Sequence, residues 1–94
     1  MTDDPLIRQL RQQISDTDRA IVDAINARLR LVAQLKRYKE SRGIGFLDPE
    51  REEWMLQYLQ RANRGPLSRE GLGELFEEVL DLTKREVARG EKSS

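Results

Sequence analysis

The sequence predicts an all-α fold with three helices per chain, one very long and two shorter, and three observations carry that prediction. Apolar residues recur at helical spacing along the chain, and no segment alternates in the manner of a strand. Two Asp-Pro pairs, Asp4-Pro5 and Asp48-Pro49, each set an N-cap ahead of the one helical position that welcomes proline. The composition is 36% charged and only 5% aromatic, which suits helices with broad solvated faces better than a sheet sandwich. Ninety-four residues supply one core, so residues 1–94 are expected to form a single domain with frayed ends at 1–4 and 90–94.

The first helix opens at Asp4-Pro5, and its periodicity runs unbroken to Ser41-Arg42-Gly43. At 1.5 Å per residue it measures roughly 55 Å, against about 32 Å for the diameter of a compact chain of this size. Its excess length is apolar at seven-residue spacing: Ile7, Ile14, Ile21 and Leu35 form one line, with Leu10, Ala24, Leu31 and Tyr38 beside it. Such a face needs a second chain, and the commonest solution is a two-fold homodimer. A plain two-stranded coiled coil is the simpler alternative. The second helix opens at Asp48-Pro49, carries Glu50, Glu52 and Glu53 where the helix dipole favours acids, and ends near Asn63-Arg64-Gly65-Pro66. Trp54, Met55, Tyr58, Leu59 and Ala62 read as its packing residues. Ser68 caps the third helix, which is expected to reach about Arg89 despite Gly71 and Gly73 in its first turn. Leu72, Leu75, Phe76, Val79, Leu82 and Val87 make its apolar face.

Composition also narrows function. Formal net charge is zero, so no overall field recruits nucleic acid or an anionic membrane, and any anion site must be local. His and Cys are both absent, which removes thiolate chemistry, most zinc sites and the usual general base at neutral pH. No metal and no cofactor are therefore expected. Nothing near the N-terminus resembles a signal peptide and no apolar run approaches the roughly 20 residues of a membrane span, so a cytoplasmic location is expected.

Polar residues on the apolar faces are the functional candidates. Arg28 continues the Ile7, Ile14, Ile21 line, and Lys39, eleven residues on, returns to within about 20° of it. Buried cations need neutralising acids or a bound anion. Arg28 alone reads as half of a structural ion pair; with Lys39 on the same face, an anion pocket is the stronger reading. Arg11 lies about 100° around the helix from Arg28. It is either a solvated arginine near a helix start or a residue that reaches a partner chain's cavity. Asp48, Arg51 and Glu52 cluster in the cap and first turn of the second helix, where acids ordinarily serve the cap and dipole. Thr83 falls near the centre of the third helix's apolar face and can bond its own preceding turn. Glu86, about 40° to one side, is expected to pair with Arg28 or Lys39, or to stay protonated and donate a hydrogen bond.

Together, Leu10-Arg11, Ile14, Asp18, Arg28, Lys39 and the run Asp48-Pro49-Glu50-Arg51-Glu52 resemble the all-helical bacterial chorismate mutases, from about Leu6 to Arg89. Residues 65–76 also look like that family's connection into its last helix. The resemblance implies an intertwined homodimeric helical bundle with two active sites, each converting chorismate to prephenate in phenylalanine and tyrosine biosynthesis. It further implies that Arg28 and the partner subunit's Arg11 hold the two substrate carboxylates and that Lys39 donates to the ether oxygen of the breaking bond. Asp48 and Glu52 are implied at the ring hydroxyl, Arg51 in the surrounding shell, and Thr83 in place of a serine that helps bind a carboxylate.

One departure from the family pattern stands out. Counted without a gap from Phe76, the position that usually carries Gln or Glu facing the ether oxygen falls on Val87, which cannot donate a hydrogen bond. Glu86 is the adjacent candidate for that task. The resemblance leaves rivals on the same scaffold, an isochorismate pyruvate-lyase or an aminodeoxychorismate mutase. A rival of another class is a weakly active or non-catalytic dimer serving as regulatory partner of the first enzyme of aromatic biosynthesis.

Overall fold

A computed structural model of the chain describes residues 4–92. Three helices follow in order: α1 (Pro5–Ser41), α2 (Pro49–Ala62) and α3 (Arg69–Lys92). There is no strand among the described residues. None of the helices is long and apolar enough to cross a membrane.

Each helix starts where its local chemistry directs. The Asp4 carboxylate accepts from the Leu6 backbone N–H at 2.8 Å, and Asp48 Oδ1 accepts from the Arg51 N–H at 3.1 Å. Ser68 Oγ accepts from Gly71 N–H at 2.9 Å. All three satisfy donors that a helix start otherwise leaves without partners. Gly71 has a further use: a Cβ there would meet the Leu67 side chain at 3.0 Å and Ser68 Oγ at 3.1 Å, so glycine keeps the cap intact. At the far end of α1, Gly43 adopts φ +70°, and the Ile44 and Gly43 N–H groups return to the carbonyls of Lys39 and Glu40. That paired closure is the Schellman arrangement, which needs a left-handed residue that glycine supplies without strain.

The end of α3 corrects the sequence reading. Helix is expected to stop near Arg89 with a frayed tail from Gly90, yet α3 continues through Gly90 to Lys92. An interior glycine costs a helix about 1 kcal/mol. Glu91, beyond that glycine, pairs with Lys36 of α1. Of the ends expected to fray, 1–3 and 93–94 lie outside the described residues.

The chain divides into two compact units, Met1–Leu31 and Val32–Ser94. In the first, α1 buries no side chain, and Leu10, Ile14, Ile21 and Leu31 stand exposed, Leu31 by 64%. The second contains the last turns of α1 together with α2 and α3, which pack on each other. Among the described residues its buried side chains are Leu72, Phe76 and Thr83, all on α3. Leu75, expected on that face, is exposed, as are Trp54, Tyr58 and Ala62, expected as packing residues of α2; Met55 and Leu59 are half-buried. In this unit the half-buried residues of α1 are Val32, Ala33, Lys36 and Lys39, while Leu35 and Tyr38 of the predicted apolar lines remain exposed.

Candidate functional site

Lys39 sits in the last turn of α1, half-buried. Reversal of the chain at Gly43 carries the Phe46 carbonyl back to it, and Lys39 Nζ donates there at 3.3 Å. An ammonium has three donors, so this contact orients the group and leaves two for a ligand. A second lysine that sequence reasoning passes over, Lys36, lies one turn earlier with its side chain only 19% exposed. It pairs with Glu40 and Glu91 and approaches the Phe46 ring, 6.0 Å from its centroid. Hydrogen bonds to the carboxylates of Glu40 and then Glu91 hold its ammonium above the ordinary lysine value, against a smaller opposing effect of desolvation.

On α2, Asp48 is exposed and occupied as the N-cap, while Glu52 is half-buried one turn on. Lys84 of α3 reaches Glu52 Oε1 at 3.6 Å. Arg51 turns to Trp54, its guanidinium 4.4 Å from the ring centroid, and Trp54 stacks on Tyr58 at 5.5 Å. Asp48, Arg51 and Glu52 thus share a helix turn and do three different things there.

On α3, Thr83 is only 6% exposed and its hydroxyl donates to the Val79 carbonyl at 2.6 Å, the bond expected of it within its own turn. Val87, four residues on and half-buried, lies on the same helix face. Glu86 differs from expectation: its carboxylate pairs with Arg89, one turn along the same helix. In the first unit, Arg28 is half-buried and Arg11 exposed.

The second unit therefore brings together Glu52 with Lys84 and Lys39 with the Phe46 carbonyl. Lys84, missed in the sequence, is adjacent to Thr83 but points to a different side, and no spacing rule within α3 signals its acid partner. A separate groove of about 550 Å³ lies along α2 and α3, lined by Leu56, Gln57, Gln60, Arg69 and the acids Glu53, Glu70 and Glu74, with Gly73. None of the predicted site residues lines it.

Comparison with known proteins adds three findings. The profile of the family described as chorismate mutase type II matches residues 10–87. The chain is similar to the bifunctional chorismate mutase/prephenate dehydratases of Stutzerimonas stutzeri, 32% identical over 85 residues, and Pseudomonas aeruginosa, 33% identical over 85 residues. In each case 85% of this chain is covered but only 23% of the relative, so the chain spans about a quarter of the length of these curated relatives. Among solved structures it is similar to a chorismate mutase from Thermus thermophilus, with TM-score 0.79 and 35% identity over 82% of this chain and 96% of that one.

Proposed function

The chain belongs to the chorismate mutase type II family, and on that premise we propose that it is an isomerase converting chorismate to prephenate. The single observation that carries this reading is that the family match, residues 10–87, spans every predicted site residue from Arg11 to Val87. In the reaction a C–O ether bond breaks and a C–C bond forms within one molecule. It needs no nucleophile and no net proton transfer, only confinement of a compact conformer and positive charge where the ether oxygen becomes electron-rich.

On this reading residues 1–94 act as one mutase domain in the cytoplasm, and two copies intertwine as a homodimer. Support for the second copy is the run of exposed Leu10, Ile14, Ile21 and Leu31 in the first unit, too long an apolar stripe to leave in water. Arg28 and the partner subunit's Arg11 hold the substrate carboxylates, assisted by Thr83. Lys39, already oriented by the Phe46 carbonyl, donates to the ether oxygen. Glu52 and Asp48 receive the ring hydroxyl, and Arg51 flanks them. Val87 leaves one donor out, and Glu86 replaces it only by releasing Arg89.

The test is loss of chorismate absorbance with the purified chain, run beside Lys39→Ala and Val87→Gln. Lys39→Ala should fall roughly 100- to 1000-fold in kcat, the usual cost of one preorganised donor, with its helical content unchanged. Val87→Gln should rise above wild type. A Lys39→Ala rate within a few fold of wild type refutes the assignment. Val87 also favours one second reading, a weakly active domain that works with the first enzyme of aromatic biosynthesis; on that reading adding this enzyme raises the rate and Val87→Gln does not.

A further inference from the structure

We infer that Lys84 is a specificity-determining residue that makes the Glu52 end of the site select a neutral ring hydroxyl over a cationic amine. The inference rests on the proposed role of Glu52 as the group that receives the substrate's ring hydroxyl. Its physical basis is the ion pair that crosses from α3 to α2, Lys84 Nζ to Glu52 Oε1 at 3.6 Å.

A carboxylate standing alone is an acceptor and a full negative charge at once. It binds a hydroxyl through the first property and an ammonium through both, so an unpaired Glu52 favours a substrate whose ring carries an amino group, protonated at neutral pH. Lys84 removes the second property and keeps the first. At 3.6 Å the contact is looser than an optimal charged hydrogen bond, and a carboxylate has about four lone-pair sites, so Glu52 retains capacity to accept from a ligand. The pair is then a net-neutral acceptor, matched to a hydroxyl. A second cation brought beside Lys84 meets repulsion that the hydroxyl does not.

A tie between α2 and α3 is the other use such a pair has. With side chains 46% and 33% exposed, it contributes little to stability, because solvent screens it. Removing Lys84 should therefore leave the melting temperature nearly unchanged and act on substrate choice.

The experiment measures kcat/KM for chorismate and for its analogue with an amino group in place of the ring hydroxyl. Wild type, Lys84→Gln and Lys84→Arg are compared, each also in a Glu52→Gln background. Lys84→Gln should lower the chorismate-to-amine ratio by about fivefold, the upper range for an exposed charge pair. Lys84→Arg should keep the ratio within about twofold, and the Lys84→Gln effect should shrink as salt is raised. In the Glu52→Gln background Lys84→Gln should move the ratio no further, since the lysine acts through the acid. An unchanged ratio in Lys84→Gln, or an equal shift in the Glu52→Gln background, overturns the inference while wild-type turnover of chorismate leaves the proposed activity standing. A folded wild type that consumes neither substrate overturns both.

Discussion

Residues 4–31 and residues 32–92 are built from the same kind of sequence and reach different ends. Both carry apolar positions at helical spacing among abundant charges. In the second unit those positions meet another helix: α2 packs on α3, and Leu72, Phe76 and Thr83 leave solvent. In the first, the helix is equally regular, yet it buries nothing, and Ile14 and Ile21 remain 60% and 56% exposed. Helical periodicity therefore specifies a face without supplying what covers it. Isolated helices are marginal in water, and most helical stability in proteins comes from packing of that face. The exposed apolar face of the first unit is what supports the proposed dimer contact, while the contacts of Lys39 with Phe46 and of Lys84 with Glu52 lie in the second.

Changes in the first unit should break this contrast most severely. Ile14→Asp combined with Ile21→Asp puts two charges on the exposed apolar line. Light scattering should then report single chains, and, if the proposed shared site is correct, chorismate turnover should fall more than about 1000-fold, as expected when the partner's proposed arginine and the enclosed site are lost together. A dimer of normal activity would place the interface elsewhere. In the second unit, Phe76→Ala should destabilise the fold by about 3 kcal/mol, the lower range for deleting a buried aromatic side chain. Denaturant titration at two protein concentrations separates this loss from a change in assembly. The smallest effect belongs to Lys36→Met, expected to lower the melting temperature by a few degrees. Because the folded-state pKa of Lys36 is raised above 10.5, its stabilising contribution is fully present below that value and is lost as pH climbs through the raised value. The difference in melting temperature between wild type and Lys36→Met should accordingly hold from neutrality to the ordinary lysine value and disappear at more alkaline pH.

Contacts within a turn are readable in residue type and spacing, while contacts between distant parts of the chain are not. Asp4, Asp48 and Ser68 are legible as caps because a cap bonds to a backbone group two or three residues away. Thr83 is legible as the centre of an apolar face, and its burial and its bond to Val79 follow from that position. Glu86 escapes such a reading because its phase points inward while its nearest cation, Arg89, sits three residues along the same helix. Gly90 escapes it for the opposite reason: glycine after a periodic run is a local stop signal, yet the helix runs on to Lys92 and Glu91 there meets a lysine fifty-five residues away.

Three helices, two of their Asp-Pro starts, the apolar stripe of α1 and a set of cations and acids consistent with one family are all written in the order of residues. Helix propensity, capping and periodicity act within about one turn, so a single chain read from end to end contains them. Folding in three dimensions was needed to bring Lys36 to Glu91, fifty-five residues away, Lys84 to Glu52, and Lys39 to the carbonyl of Phe46. Those pairings depend on how α3 packs on α2 and how the chain reverses at Gly43, and a charge reaches a partner only after packing has set the distance between them.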